Sequence, residues 1–258
     1  MLIRRIRDQA VRHNWFGVAI DVAIVIVGVF LGLQANNWNA ARAERAEARE
    51  YRSEIVSDLR ANEADIIARS AFYGQVRAHA LAALQALEDP HSQLGESFLV
   101  DAYLAADTNR RPLVRSAYDE MVDSGIGRDS VGLATRSKMA AYYAQVPQFN
   151  ENVLLITAYK ENVRRAMMYS VQHRIAELCA DSVRTLPTGV QSVSMPDHCR
   201  AGLDSRTVAI AVARLKASDG LDLDLTRQLA DLDQKLALFH RYAKLAHELR
   251  TDLESDNS

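Results

Sequence analysis

Apolar residues fill positions 15–34 almost without interruption, and Asp21 is the only charged residue among them. A helix rises about 1.5 Å per residue, so roughly twenty residues cross a hydrocarbon core of about 30 Å. The pattern therefore predicts one membrane-spanning helix over residues 15–35.

Beyond residue 40 the apolar positions recur at sums of three and four residues, the spacing of one face of a helix. The members of this series are Ile55, Leu59, Ile66, Tyr73, Val76, Leu84 and Leu87. No proline occurs in residues 40–87. We therefore expect the membrane helix to continue outward as an extended stalk helix over residues 36–90, ended by Asp89 and Pro90.

Shorter helical patterns fill the rest of the chain, separated by glycine and proline. The predicted helices cover residues 96–106, 116–122, 133–144, 150–184 and 205–217, and a last helix carries Leu225, Leu229, Leu232 and Leu236. Pro147 is expected to separate two of them, and residues 186–204 are interpreted as a long loop. No segment alternates apolar and polar residues clearly enough to predict a sheet. The sequence thus predicts an all-α protein, with an antiparallel helical bundle over residues 91–258 that packs with the stalk helix.

Composition excludes some classes of function. The chain has 258 residues, a net charge of −2 and 48% hydrophobic residues. Outside residues 1–14 acids and bases are intermixed, so no basic patch predicts nucleic-acid binding. The sequence holds no nucleophile elbow, zincin, phosphate-loop or calcium-loop motif. We therefore predict no catalytic residue, cofactor or metal ligand, and no enzyme activity.

Charge before the apolar segment predicts the orientation of the chain. The arm of residues 1–14 carries one acid, Asp8, against Arg4, Arg5, Arg7 and Arg12. Basic residues beside a span resist translocation, so we expect this arm in the cytoplasm and residues 36–258 in the periplasm of a bacterium, with the span in the inner membrane. The alternative is a cleavable secretion signal ending at Ala35, although Leu33 stands where such a site needs a small residue.

One side of the predicted membrane helix carries small residues and the acid. They are Gly17, Asp21, Gly28, Gly32 and Ala35. Small residues let a second helix approach closely, so this side predicts a contact with a membrane partner or with another copy of the chain. The alternatives are that the glycines reflect the common use of glycine in membrane helices, and that Asp21 is an interfacial acid or handles protons.

The two cysteines of the chain, Cys179 and Cys199, both fall in the predicted periplasmic part. In an oxidising compartment such a pair predicts one disulfide between a helix end and the loop after it. Two buried thiols remain an alternative. A metal site is a weaker one, because the close spacing of cysteine ligands and a fourth ligand are missing.

The end of the predicted span resembles a bacterial family of single-pass inner-membrane proteins of unknown function. Members show a glutamate, a glycine among aliphatic residues, and then Leu, Gln, any residue, Asn, Asn, Trp and Asn. The corresponding residues of this chain are Asp21, Gly28, Leu33, Gln34, Asn36, Asn37, Trp38 and Asn39. The acid is aspartate here, and Gly32 stands where the family has alanine. The similarity continues in patches to about residue 145, and it implies a single span with a helical exterior domain, without implying an activity.

The last four residues of that motif suit the exit from a bilayer. An indole anchors at the headgroups and amides meet water, so Asn36, Asn37, Trp38 and Asn39 are expected there. We expect a non-enzymatic scaffold or accessory protein, whose partners are the lipid bilayer and a membrane protein or second copy. Alternatives are a ligand-binding sensory bundle and a stator-like subunit that uses Asp21.

Overall fold

The structure is a computed structural model that describes residues 15–126, 132–196 and 198–255. The predicted basic arm of residues 1–14 lies outside this part of the chain. Within the described residues the protein is helical apart from one two-stranded hairpin, so the predicted all-α class is confirmed.

The first helix, α1 (Trp15–Glu88), runs without a break for 74 residues. At 1.5 Å per residue it is about 110 Å long. It ends before Asp89 and Pro90, as predicted, because the residue before a proline is pushed out of the helical conformation. The predicted continuation of the apolar segment into one long helix is confirmed.

The remaining elements follow in short succession. They are α2 (Glu96–Leu104), α3 (Ser116–Ser124), α4 (Leu133–Leu154), α5 (Ala158–Ala166), α6 (Tyr169–Leu178), β1 (Ser182–Thr185), β2 (Gln191–Ser194), α7 (Ser205–Lys216) and α8 (Leu221–Ser255).

Helix α8 packs antiparallel along the carboxyl-terminal half of α1. Arg52 donates from Nε to the Leu253 carbonyl at 2.9 Å near one end of this contact. Arg77 pairs with Asp233 near the other end. The apolar series of α1 that begins at Ile55 is buried or partly buried against α8 and the shorter helices, so one face of this half of α1 is a wall of the bundle core.

A charged group lies inside this core. The Arg69 side chain is fully buried, with its guanidinium carbon 5.5 and 5.6 Å from the rings of Phe149 and Phe239. It pairs with Asp65 one turn earlier and donates to the carbonyl of Arg111 at 2.7 Å. Burial lowers the pKa of Arg69, and the adjacent carboxylate opposes this shift. The pair therefore offsets part of the cost of removing a cation from water.

Two predictions in the middle of the chain are wrong. Helix α4 continues through Pro147 and ends at Leu154. The proline itself is exposed, while Val146 and Phe149 beside it are fully buried, so packing holds the helix across the missing backbone donor. The single helix predicted over residues 150–184 is replaced by the end of α4, then α5, α6 and β1.

The hairpin was also absent from the prediction. Strands β1 and β2 pair antiparallel, with Ser182 opposite Ser194 and Thr185 opposite Gln191. The turn uses Gly189 at φ 80°, a conformation that favours glycine. Most of this hairpin is exposed, so a buried side did not impose a clear apolar alternation on its sequence.

Candidate functional site

The amino-terminal part of α1 is one candidate site. Among the described residues one helix is long and apolar enough to cross a membrane, and its apolar window contains no buried residue. Large aliphatic side chains there, such as Val25, Ile26 and Leu31, are more than half exposed. Water is an unfavourable environment for so large an apolar surface, and hydrocarbon is a favourable one.

All of the predicted contact residues lie on this uncovered part of α1. Asp21, Gly28, Gly32 and Ala35 are exposed, and Gly17 is half-exposed. A Cβ atom added at Gly28 or Gly32 would meet nothing within 4 Å. No contact within the described chain therefore requires glycine at either position.

The predicted exit residues continue the same helix. Asn36, Asn37, Trp38 and Asn39 are all exposed. The guanidinium carbon of Arg42 lies 5.7 Å from the centroid of the Trp38 ring. The Trp and Arg side chains each have an apolar body and a polar end. Such a pair suits the headgroup region of a bilayer, which is apolar on one side and wet on the other.

The structure joins Cys179 and Cys199 in a disulfide. Their Cα atoms lie 5.6 Å apart. Cys179 caps the end of α6 and Cys199 lies after the hairpin, so the bond closes the segment that carries β1 and β2. This segment contacts α1 where Gln75 donates to the Met195 carbonyl at 3.3 Å and accepts from its backbone N–H at 3.0 Å.

Sequence reasoning missed a second candidate site, a cleft of about 630 Å³ between α8 and the linker from α4 to α5. The linker is extended at Leu155 and Thr157, and the Thr157 side chain caps α5 by accepting from the backbone of Lys160. Its residues Leu155 and Ile156 are exposed at the cleft. Helix α8, on the opposite side, contributes residues from one face, which are Arg227, Asp231, Gln234, Lys235, Leu238 and Arg241.

Lys235 is the most enclosed cation of this cleft. Its Nζ atom lies 4.5 Å from the centroid of the Tyr73 ring. Burial lowers the pKa of Lys235, while Asp231 one turn earlier raises it. The Tyr73 hydroxyl is fixed behind it by hydrogen bonds of 3.2 Å with the backbone of Asn109. The cleft thus presents three cations, one acid and an apolar linker to a ligand.

The sequence holds part of the signal for this cleft. Arg227, Asp231, Lys235 and Leu238 share one face of the last helix by their spacing alone. Leu155 lies on the opposite wall of the cleft and precedes Lys235 by 80 positions in the chain. The approach of these two residues therefore depends on the tertiary fold.

Comparisons of the chain with protein-family models, with curated proteins and with solved structures found no match. The described residues contain no group of three or more His, Cys, Asp or Glu side chains placed to hold a metal ion.

Proposed function

We propose that this protein is a non-enzymatic scaffold of the bacterial inner membrane. In this proposal residues 15–35 cross the bilayer once, residues 1–14 lie in the cytoplasm, and the bundle lies in the periplasm. The observation that carries the proposal is the uncovered apolar part of α1, which continues without a break into the wall of a folded bundle.

The continuity of α1 sets the distance between membrane and bundle. Ala48 is the first buried residue of α1 after the exit residues. Residues 36–47 therefore hold the bundle about 18 Å from the bilayer, at 1.5 Å per residue. A helix of this length transmits position and rotation from the membrane to the bundle, which suits a protein that orients partners.

The glycine side of the span is the surface proposed for membrane partners. Gly28 and Gly32 are separated by four residues, and their exposed backbone permits close helix approach. Ala23 lies five and nine residues from them, on the other side of the helix at about 100° per residue. It offers a matched control, because a leucine there adds similar bulk away from the proposed contact.

The test is crosslinking in intact membranes followed by mass spectrometry of the captured proteins. We expect Gly28→Leu and Gly32→Leu to lose a membrane partner that Ala23→Leu retains. Equal recovery of the same partners by all three variants would contradict a contact through the glycine side. Recovery of the wild-type chain outside the membrane fraction would contradict the membrane scaffold itself.

A second candidate function, a ligand-binding sensory bundle, is favoured by the cleft alone. Its volume of about 630 Å³ lies within the usual range for small-molecule sites. The apolar linker beside Lys235 and Arg241 suits an anion that carries a short hydrocarbon chain. Octanoate is a suitable probe, with octanol as its uncharged control.

In lipid nanodiscs the sensory proposal predicts that octanoate raises the unfolding temperature of the bundle and that octanol does not. Lys235→Gln should remove the difference. A shift that persists in Lys235→Gln, or that octanol reproduces, would contradict an anion site in the cleft.

A further inference from the structure

From Gly32 to Leu81, α1 has one face that the bundle leaves uncovered. The positions of this face form two series with a repeat of seven residues, offset by four and three: 32, 39, 46, 53, 60, 67, 74 and 81 in one, and 43, 50, 57, 64, 71 and 78 in the other. The uncharged residues at these positions, here called the α1 seam, are Gly32, Asn39, Ala43, Ala46, Ser53, Ser57, Ala64, Ile67, Ala71, Gly74, Ala78 and Leu81. Every one is exposed or half-exposed. In a coiled coil the helices contact each other through two such positions in every seven residues, which are typically apolar.

Apolar side chains lie in this seam without cover. Ile67 is 55% exposed and Leu81 is 37% exposed, although both belong to the helix that carries the bundle core. A Cβ atom added at Gly74 would meet nothing within 4 Å, so the described chain does not require a glycine there.

Charged residues beside the seam separate by sign. Arginines at positions 42, 45, 49 and 52 surround one shallow depression at Ala48. Glutamates at positions 47, 50 and 54 follow the other flank by their spacing, and Glu44 lies farther from the seam. Consequently every charged pair three or four residues apart in this segment has the same sign, an arrangement that destabilises a lone helix. Among the described residues, Glu47, Arg49 and Glu54 have no ion-pair partner.

We propose that the α1 seam binds a second copy of this chain as a parallel pair. In parallel pairing a flank residue meets the residue five positions later on the other helix. Arg42 then meets Glu47 of the second copy, and Arg49 meets Glu54 of the second copy. Two-fold symmetry repeats both ion pairs, so the two flanks of opposite sign satisfy each other on both sides of the seam.

The arrangement of charge selects this occupant. Antiparallel pairing would place each basic flank against another basic flank. An anionic lipid surface would satisfy only the arginines. The inference rests on the proposed function, because a shared membrane crossing holds the two helices parallel.

Two charged residues, Glu50 and Arg60, also occupy positions of the two series. Arg60 turns away to Glu254 of its own chain, with Nη2 3.0 Å from Oε1. Glu50 lies next to the flank position of Arg49, and the packing of parallel pairs places it against Arg49 of the second copy.

Cysteine crosslinking of the full chain in native membranes tests the seam. Ser53 and Glu44 are both exposed and lie nine residues apart, on opposite sides of α1. Under mild oxidation we expect Ser53→Cys to become mostly a disulfide-linked dimer and Glu44→Cys to remain monomeric. Equal crosslinking at the two positions, or none at Ser53, would overturn the proposal.

Charge reversal in the Ser53→Cys background tests the register. Arg42→Glu with Arg49→Glu should lose the dimer, and so should Glu47→Arg with Glu54→Arg. Co-expression of these two double variants should restore a crosslinked heterodimer. The four flank positions 42, 47, 49 and 54 are then acidic in one chain and basic in the other. Failure of the mixture to crosslink would overturn the pairing of these flanks.

Failure of the parallel pair and failure of the proposed function give different experimental results. A chain that stays in the membrane, keeps a partner sensitive to Gly28→Leu and fails to crosslink at Ser53 overturns the pair and leaves the scaffold. A chain found outside the membrane overturns the scaffold, and its crosslinking at Ser53 against Glu44 still decides whether the seam pairs.

Discussion

Replacing either partner of the buried Arg69 and Asp65 pair should destabilise the bundle by very different amounts. The Arg69 side chain has no exposed surface, and that of Asp65 is 12% exposed. Arg111 also donates to Asp65, at 2.7 Å, from a position nearer the surface. The carboxylate therefore has two cationic partners, whereas Arg69 has one acidic partner among the described residues.

This asymmetry determines how much free energy of unfolding each variant loses. Asp65→Asn leaves a buried guanidinium without a counter-charge, which typically costs about 3–5 kcal/mol. Arg69→Met leaves Asp65 paired with Arg111 and places an apolar chain against Phe149 and Phe239. It removes an ionic hydrogen bond worth about 1.5–3 kcal/mol but also the cost of burying a cation, so we expect a net loss of about 1 kcal/mol.

Urea unfolding of the full chain in detergent, followed by far-ultraviolet circular dichroism, measures both losses. Lys138→Met is a suitable control, since Lys138 also pairs with a carboxylate, that of Asp252, but its side chain is largely exposed. We expect the control to change the free energy of unfolding far less than Asp65→Asn does. If Arg69→Met proves as destabilising as Asp65→Asn, the reasoning about the shared carboxylate is wrong.

Three further predictions concern the bundle. Replacing Cys179 and Cys199 by serine should lower the free energy of unfolding by about 3 kcal/mol, the model value for a closed loop of this size, and an unchanged urea midpoint would contradict it. Tyr159→Phe should cost about 1–2 kcal/mol, because its buried hydroxyl donates to the Ala102 carbonyl at 2.7 Å, and urea unfolding checks this value. Burial disfavours the charged carboxylate of Asp181 and raises its pKa from 3.8 to about 6. The bundle therefore loses stability as pH rises through that range and this carboxyl group ionises. Asp181→Asn should therefore stabilise the bundle by about 0.5–1 kcal/mol at pH 7, after allowance for solvent screening, and by less at pH 4; equal effects at both pH values would refute the assignment.

The long helix was predictable because its signals are local. The uninterrupted apolar run at residues 15–34, the apolar spacing beyond Ile55 and the stop at Pro90 each act through neighbouring residues. The same is true of α7, where Asp204 caps the first turn by accepting from the backbone of Thr207 at 3.0 Å.

The errors arose where tertiary packing decided the outcome. Pro147 signals a helix end locally, but buried side chains on both sides of it hold α4 together. The hairpin depends on a turn at Gly189 and on its contact with α1, neither of which creates a strong apolar period. The cleft needs Leu155 beside Lys235, and no pattern within either segment encodes that approach.

The most direct test of the account is the location of the carboxyl terminus relative to the membrane. Two fusions after residue 258 would be compared, one to an alkaline phosphatase that folds only in the periplasm and one to a fluorescent protein that matures only in the cytosol. The account predicts an active phosphatase, a dark fluorescent fusion and a membrane-bound product that retains residues 1–14. A fluorescent fusion with inactive phosphatase, or a product cleaved near residue 35, would contradict it.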